Sequence, residues 1–330
     1  AARSAASALN WSWQQTMLRV KDPAVTVEFY RKNFNCTLLH KFDFPSMKFS
    51  LYFMATLPKG VTAPPSGTPE AEDFLWSTSG TTLEFTHNWG SETDASFAVN
   101  NGNVEPHRGF GHIAFACDDV YAACAKLEEA GVKFQKKPDE GRMKGLAFAL
   151  DPDGYWLEII SRSADCGFEG YNLAQTMIRI KDPAKSLAFY RDVCGMSLVS
   201  ERHFESGKFS LYFLATLPAG TDVPDPTSED GYKFMKGLFN PVLELTHNHG
   251  TETDPAFSYH NGNDAPQGFG HVGFLVDDVD AAVAASEAAG CAIKKRSQDG
   301  KIKGIAFVVD PDGYWVELVK RGSRVPPVSE

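Results

Sequence analysis

The two halves of this chain carry the same series of motifs at a nearly constant spacing. An offset of 160 residues, reduced to 159 after one deletion, superimposes four pairs of segments: WSWQQTMLRVKDP (11–23) on YNLAQTMIRIKDP (171–183), LEFTHN (83–88) on LELTHN (243–248), GFGH (109–112) on GFGH (268–271), and DPDGYWLE (151–158) on DPDGYWVE (310–317). This period is too long for a solenoid repeat. The chain is therefore predicted to be a duplicated globular unit, in which chemically important residues occur twice.

The amino-acid composition argues against nucleic-acid binding and against membrane association. The 330 residues carry 32 basic and 42 acidic side chains, a net charge of −10, without a long basic run. A nucleic-acid surface is therefore not expected. No apolar stretch approaches the roughly 20 residues of a membrane helix, so no membrane association is expected either.

Domain boundaries follow from the duplication. We expect a tail over 1–10, one domain over 11–165 and a second over 166–330, joined near 161–170. The tail, AARSAASALN, is small, basic and free of acids. We interpret it as a disordered terminus, with the end of a transit segment as the alternative. A cytoplasmic location is predicted, and an organellar one stays open.

The six cysteines differ between the halves, and none of them recurs at the matching position. No Cys-x-x-Cys pair is present. A duplicated thiolate metal site is thereby excluded, and a reducing compartment with mostly buried thiols is predicted.

Each half shows strand and helix signals twice, which predicts an α+β fold of four βαβββ modules in two tandem pairs. Asp22-Pro23 supplies an N-cap and a first-turn proline for a helix after the first strand. Asp151-Pro-Asp-Gly154 between two apolar runs predicts a hairpin. A proline-rich polar loop is expected over 58–73.

The duplication shows which of the nine histidines occur at matching positions in both halves. Only His87 with His247 and His112 with His271 recur, and the second pair opens an apolar strand after Gly-Phe-Gly. A lone histidine is more often a hydrogen-bonded structural residue than a ligand. The position of His112 and His271 on a strand facing an open sheet surface favours a ligand role for them.

Four glutamates lie on apolar strands: Glu84, Glu158, Glu244 and Glu317. Solvent-facing strand edges are one interpretation. A buried carboxylate without a partner costs several kcal/mol, so four occurrences in duplicated contexts favour burial beside a cation. With Gln15 and Gln175 on the first strand of each half, the set offers three oxygens and one imidazole nitrogen. This set suits a six-coordinate divalent ion with open positions rather than a closed structural zinc.

Candidate anion-binding groups recur as well. Arg19 and Arg179 lie within the first strands, and the asparagines of the two THN motifs, Asn88 and Asn248, follow the glutamates. Two basic loops, 136–145 and 295–304, also correspond. Solvated charges are the ordinary interpretation of such loops, whereas matching basic loops on an acidic protein favour lids over an anionic ligand.

Together these motifs, with MKFSLYF at 47–53 and RGFGH at 108–112, resemble the glyoxalase I (lactoylglutathione lyase) family of the vicinal-oxygen-chelate superfamily, in its tandem-fused monomeric form. The resemblance covers nearly all of 11–320. It implies the vicinal-oxygen-chelate fold and the isomerisation of the glutathione–methylglyoxal hemithioacetal to S-D-lactoylglutathione, a step of methylglyoxal detoxification.

The resemblance also implies roles for the residues. One metal centre would combine Gln15 and Glu84 with His271 and Glu317, and the other His112 and Glu158 with Gln175 and Glu244. The ion would stabilise an enediolate, with Glu158 and Glu317 as the bases that move the proton and Glu84 and Glu244 on the opposite face. Zinc is favoured, while nickel, cobalt or manganese also suits the ligands.

Glutathione is the implied cosubstrate. Its γ-glutamyl end would be held by Arg19, Asn88, Arg179 and Asn248, with Arg108 from the neighbouring module. Its glycyl carboxylate would be held by Lys136 with Gly141 and by Lys295 with Gly300. Arg108 falls at the deletion and has Gln267 opposite it, so the centre built with His271 is expected to lack one cation.

Two rival functions stay open. An extradiol dioxygenase needs two histidines and one carboxylate for iron, and Gln15 and Gln175 stand where the second histidine would be. A duplicated binding module, or a chain with one active and one structural half, needs fewer of the eight candidate ligands than are present.

Overall fold

The computed structural model describes residues 9–163, 168 and 170–324, so most of the predicted tail and half of the linker region 161–170 lie outside the described part. The first half contains, in chain order, β1 (Ser12–Val20), α1 (Pro23–Phe34), β2 (Thr37–Phe44), β3 (Phe49–Ala55), α2 (Pro69–Ser77), β4 (Thr82–Asn88), β5 (Phe110–Cys117), α3 (Val120–Glu129), β6 (Phe134–Lys136), β7 (Ala147–Leu150) and β8 (Trp156–Ser161). We call β1–β4 module 1 and β5–β8 module 2.

The second half repeats this order. It contains β9 (Asn172–Ile180), α4 (Pro183–Ala188), β10 (Ser197–Phe204), β11 (Phe209–Ala215), α5 (Glu229–Lys236), β12 (Val242–Asn248), β13 (Phe269–Val276), α6 (Val279–Ala288), β14 (Ala292–Lys295), β15 (Ala306–Val309) and β16 (Trp315–Lys320). Strands β9–β12 form module 3 and β13–β16 form module 4. The predicted α+β fold of four βαβββ modules is confirmed.

Aspartates begin the helices that follow the first strand of each module. Asp22 accepts from the backbone amides of Ala24 and Val25, and Pro23 occupies the first helical position, as the sequence predicts. Asp119, Asp182 and Asp278 cap the three equivalent helices in the same way. The same local signal thus starts four helices, two for each sheet.

Each sheet combines one module from each half. One eight-stranded sheet has the order β14-β15-β16-β13-β1-β4-β3-β2, and the other has the order β10-β11-β12-β9-β5-β8-β7-β6. The first and last modules join through antiparallel β1 and β13, and the two middle modules join through antiparallel β5 and β9. The first and the last module of the chain therefore lie side by side in one sheet.

Two glycines permit the halves to approach closely beside these junctions. A Cβ on Gly109 would lie 1.9 Å from the carbonyl oxygen of His260, and a Cβ on Gly268 would lie 1.9 Å from that of Asn100. Any larger residue there would separate the two segments. The neighbouring amides of His260 and Asn100 donate to the carbonyls of Arg108 and Gln267, which makes Gln267 the structural counterpart of Arg108.

Two features of module 1 differ from the sequence-based expectation. The loop predicted over 58–73 becomes helical at Pro69, where Thr68 caps α2 through the amide of Ala71. No strand was predicted for 37–44, which forms β2 at the sheet edge. Among the described residues, no helix combines the length and apolar character required to cross a bilayer.

A buried aspartate links the hairpin of module 2 to α1. Asp151 accepts hydrogen bonds from the Tyr30 hydroxyl and from the amides of Asp153 and Tyr155. Burial, with a smaller contribution from Asp153, raises the pKa of Asp151 from 3.8 to about 7. Asp310 repeats the arrangement with Tyr190, and its pKa is likewise raised to about 7.

This shift predicts a pH dependence of stability. The folded state holds a proton on Asp151 that the unfolded state releases, so the free energy of unfolding falls as the pH rises from about 4 to about 7. In Asp151→Asn that contribution is absent, so the urea midpoint declines less over this window than in the parent. Asp94→Asn, on an exposed turn, serves as the control. A decline as steep in Asp151→Asn as in the parent would contradict the assignment.

Candidate metal centres

Four residues from four adjacent strands meet in the sheet of modules 1 and 4. We call Gln15 (β1), Glu84 (β4), His271 (β13) and Glu317 (β16) centre 1. The Gln15 Nε2 atom lies 2.6 Å from Glu84 Oε2, 2.5 Å from Glu317 Oε2 and 3.4 Å from His271 Nε2. His271 Nε2 lies 3.3 Å from Glu84 Oε2 and 3.2 Å from Glu317 Oε2. All four side chains are buried.

The other sheet holds the same cluster. Centre 2 consists of Gln175 (β9), Glu244 (β12), His112 (β5) and Glu158 (β8). The Gln175 Nε2 atom lies 2.5 Å from Glu244 Oε2 and 2.9 Å from Glu158 Oε2. His112 Nε2 lies 3.3 Å from Glu158 Oε2 and 3.6 Å from Glu244 Oε2. The structure thus brings together the eight residues singled out in the sequence, as two clusters that each draw on both halves.

Strand register explains this convergence. Gln15 pairs with Gly273, and Gly273 pairs with Glu317, so the glutamine and glutamate extend from one row of the sheet. A Cβ on Gly273 would lie 2.6 Å from the Gln15 side chain, so glycine leaves room for that side chain. Ala114 holds the matching place between Gln175 and Glu158.

The carboxylates control the protonation of both imidazoles. Burial alone lowers the pKa of His271, but the charges and hydrogen bonds of Glu317 and Glu84 outweigh it and raise the pKa to about 9. Glu158 and Glu244 raise the pKa of His112 to about 9 against the same opposing burial. Burial also raises the pKa of Glu84, although His271 counteracts it. Each centre therefore stabilises positive charge.

The donor sets fit a divalent cation. In each centre one imidazole nitrogen and two carboxylate oxygens all lie within 4.8 Å of one another. The Gln15 Oε1 atom is buried and has no hydrogen-bond partner. A half-turn of this amide exchanges Nε2 for Oε1, which would then face the carboxylate cluster as a fourth donor to a cation. Carboxylate and amide oxygens with one imidazole suit six-coordinate divalent ions.

An arginine and an asparagine lie at one end of each cavity. Arg19 donates to Asn263 Oδ1 at 2.8 Å and to backbone carbonyls of module 4. Arg179 donates to Asn103 Oδ1 at 2.8 Å. Burial lowers the pKa of both guanidinium groups. Asn103 and Asn263 were not predicted from the sequence, although both lie in an Asn-Gly-Asn segment that recurs in the two halves.

The remaining predicted substrate residues are placed unequally. Asn88 lines the cavity of centre 1. Its counterpart Asn248 instead donates to the Tyr259 hydroxyl at 2.9 Å. Arg108 forms an ion pair with Glu105 at 3.2 Å. Burial is the main cause of the lowered pKa of Arg179, and the charge of Arg108 lowers this pKa further, so Arg108 lies beside centre 2. Gln267 lines the cavity of centre 1 in the matching place.

The basic loops fold over their own lysines. The Lys136 ammonium donates to the carbonyl of Leu146, and the Lys295 ammonium donates to that of Ile305, each at 2.6 Å. Gly141 and Gly300 have φ near +67° and +66°, and they lie against the lysine stems. Lys295 and Lys301 of one loop line the cavity of centre 1, and Lys144 of the other loop lines the cavity of centre 2.

Each centre opens into a cavity large enough for a small peptide conjugate. The cavity of centre 1 has a volume of about 530 Å³ and that of centre 2 about 740 Å³. The other repeated histidines lie elsewhere, since His87 is bonded to Glu92 and His247 to Glu252 at 2.7 Å. They have a structural role at the strand ends.

Comparison with known proteins is consistent with this geometry. The family model described as Glyoxalase/Bleomycin resistance protein/Dioxygenase superfamily matches residues 13–159 and 172–318. The chain is 46% identical over 315 residues to "Glyoxalase I" of Saccharomyces cerevisiae, covering 93% of this chain and 91% of that protein. It is 40% identical to "Lactoylglutathione lyase" of Schizosaccharomyces pombe, covering 93% and 95%.

A solved structure supports the same conclusion. The crystal structure of glyoxalase I from Zea mays matches with a TM-score of 0.68 and 28% sequence identity, covering 96% of this chain and 94% of that one. With a family model matched twice, and relatives that are similar along nearly their whole length, the chain belongs to the glyoxalase superfamily as a tandem duplication of its domain.

Proposed function

We propose that the protein is a lactoylglutathione lyase that isomerises the hemithioacetal of glutathione and methylglyoxal to S-D-lactoylglutathione at both centres. The observation that supports this most directly is the buried quartet of glutamine, two glutamates and histidine, assembled twice across the halves. The names of the two yeast relatives agree with this activity.

The eight quartet residues would hold one divalent ion in each centre. When bound, the ion supplies Lewis-acid polarisation of the substrate oxygens, which acidifies the neighbouring C–H bond. Zinc is the proposed ion, and nickel, cobalt or manganese would suit the same donors. Two carboxylates balance the charge of a divalent cation in a buried place where an unpaired charge is costly.

The glutamates of the quartets carry the proton. Glu317 in centre 1 and Glu158 in centre 2 take the proton from C1 of the hemithioacetal and return it to C2, so that the thioester forms without loss of an atom. Glu84 and Glu244 stand on the other side of their imidazoles. Base catalysis of this kind contributes roughly 100-fold to 10,000-fold in rate.

The cavity ends orient glutathione. The half-buried guanidinium of Arg19, held by Asn263, faces the γ-glutamyl carboxylate at centre 1, and Arg179 with Asn103 does so at centre 2. Asn88, Asn248 and Arg108 add to these ends. Lys136 with Gly141 and Lys295 with Gly300 are proposed to receive the glycyl carboxylate in their loops.

The rival functions are less well supported. Each quartet offers one imidazole, not the two that a dioxygenase iron site requires. A binding module has no need to bury two opposed carboxylates in each cavity. We also propose a monomer, because one chain completes both centres. A reducing compartment, here the cytoplasm, is favoured because the five cysteines in the described part are unpaired.

Metal content tests the centres first. Metal-stripped protein resupplied with zinc is expected to bind two ions per chain, His271→Ala and His112→Ala one each, and the double variant none. Elemental analysis after removal of free metal gives the ratios. His87→Gln, which alters a histidine bonded to Glu92 outside the centres, should keep two ions. Two ions bound by either single variant would reject its centre.

Turnover tests the proposed bases. Glu158→Gln and Glu317→Gln should each remove the activity of one centre, and the double variant should lose at least about 100-fold in S-lactoylglutathione formation. Binding of S-methylglutathione, followed by calorimetry, should persist in the double variant because the cation ends of the cavities are unchanged. Parent-like turnover by the double variant would show that these glutamates are not the bases.

Arg108 provides a test of the γ-glutamyl end. In the Glu317→Gln background, where centre 2 alone is active, Arg108→Gln should raise the Michaelis constant about tenfold, because a charge-assisted hydrogen bond is worth roughly 1.5–3 kcal/mol. The same change in the Glu158→Gln background serves as the control and should leave centre 1 unaffected. An unchanged Michaelis constant at centre 2 would remove Arg108 from the site.

A further inference from the structure

The two cavities have the same types of metal ligand, but they differ in the wall that lies around Val319 at centre 1 and around its counterpart Ile160 at centre 2. Along β1, Arg19 lies on one side of Gln15, and Ser12 lies on the other side. Val319 is level with Ser12, because both pair with Leu275 of β13. A conjugate that places its γ-glutamyl group at Arg19 and its reacting carbons at the quartet therefore has Val319 and its neighbours beyond those carbons.

Strand register identifies the residues that correspond in this region. Phe42 pairs with Leu51, which pairs with Thr86 on the face that carries Glu84. In the other sheet Arg202 pairs with Leu211, which pairs with Thr246 on the face that carries Glu244. Phe42 and Arg202 thus occupy the same point of two equivalent sheets. Trp76 and Lys236 correspond in the same way near the ends of α2 and α5.

At centre 1 this region is apolar and aromatic. The rings of Phe42 and Trp76 stack with centroids 6.1 Å apart, and Trp76 meets Phe53 edge-on at 5.4 Å. Val319 and Ile305 line the same cavity and pack in the same apolar cluster. These side chains carry no charge, so a carboxylate among them would lose its hydration and meet one neutral donor, the Trp76 indole N–H, which has no hydrogen-bond partner among the described residues.

At centre 2 the same region is cationic. The Arg202 guanidinium lies 4.4 Å from the centre of the Tyr232 ring and pairs with Glu229 at 2.9 Å. The Lys236 ammonium lies 5.6 Å from the same ring and donates to Ser161 at 3.1 Å. Two cations face one exposed carboxylate, which leaves one positive charge in excess on the cavity wall.

We propose that the two centres divide their substrates by the aldehyde: centre 1 takes hemithioacetals of apolar and aromatic 2-oxoaldehydes, and centre 2 takes those of 2-oxoaldehydes whose side chain ends in a carboxylate. Arg202 and Lys236 are the determinants at centre 2, and Phe42 and Trp76 are those at centre 1. This inference rests on the proposed lyase activity. A carboxylate gains charge-assisted hydrogen bonds from Arg202 and Lys236. An aryl group instead buries apolar surface, and only the aromatic wall of centre 1 offers a surface for this.

Single-centre variants measure the division directly. Glu158→Gln leaves centre 1 active and Glu317→Gln leaves centre 2 active, and each is assayed with hemithioacetals of methylglyoxal, phenylglyoxal and 4,5-dioxopentanoate. The kcat/KM for phenylglyoxal relative to methylglyoxal should be about tenfold or more higher at centre 1. The same ratio for 4,5-dioxopentanoate should be about tenfold or more higher at centre 2. Equal ratios at the two centres would overturn the inference.

Exchange of the wall residues tests the determinants. Arg202→Phe with Lys236→Trp, in the Glu317→Gln background, should give centre 2 the aryl preference of centre 1. The control is Lys233→Trp, which adds the same ring to an exposed position of α5. An unchanged ratio in the double exchange, with methylglyoxal turnover retained, would reject Arg202 and Lys236 as determinants.

A binding measurement separates this inference from the proposed activity. Calorimetry in the two single-centre variants compares S-benzylglutathione with S-methylglutathione, because the ratio of the two dissociation constants at one centre removes the contribution of Arg108. The preference for the benzyl conjugate should be about tenfold or more greater at centre 1, and the Arg202→Phe and Lys236→Trp exchange should give centre 2 the same preference. Equal preferences at the two centres would overturn the inference whether or not the protein is a lyase. Absence of turnover with all three aldehydes would reject the lyase activity, and these binding ratios would then decide the inference alone.

Discussion

The rest of the structure depends on the burial of two carboxylates against one imidazole in each centre. A buried carboxylate without partners costs several kcal/mol, and each sheet buries two of them. Their partners, the imidazole and the glutamine amide, come from both halves of the chain. Each module carries only half of a quartet, so a module alone would bury its carboxylate without the full set of partners. The pairing of β1 with β13 and of β5 with β9 meets that requirement in both sheets.

This arrangement favours ion binding over stability. Buried ion pairs add little net stability because the desolvation penalty offsets much of their attraction. In centre 1 the carboxylates hold positive charge so strongly that the pKa of His271 rises to about 9. The same two carboxylates would attract a divalent cation, and the imidazole would then be neutral and bind that cation as a ligand. The phenyl ring of Phe307, 5.3 Å from the His271 ring, limits the access of water on one side.

Internal duplication allowed much of the centre to be predicted from the sequence. Repetition selected four of the nine histidines and the four glutamates because a quartet needs the same chemistry twice, and the position after Gly-Phe-Gly then selected His112 and His271. It did not show which halves combine, since strand order across a sheet is a long-range property; the cross-pairing came from the family resemblance. Helix α2 was missed because its start follows a proline-rich segment, although Thr68 caps it. Asn248 was expected at the ligand, and its bond to Tyr259 involves a residue that the first half does not share.

The pattern of divergence between the halves has a physical reason. Within the quartets any single change leaves a buried charge or amide without its partner, so the two copies retain the same residues. At the cavity ends the side chains reach solvent, where a new charge can be balanced locally: Arg202 keeps a quarter of its side chain exposed and faces Glu229. A symmetric dimer of one short chain repeats every substitution in both of its interface sites. Fusion of two copies removes that restriction, so Phe42 and Arg202, or Gln267 and Arg108, differ at equivalent points while the chemistry between them is kept. Differentiation of the two sites is thus confined by electrostatics to the regions that we propose select the substrate.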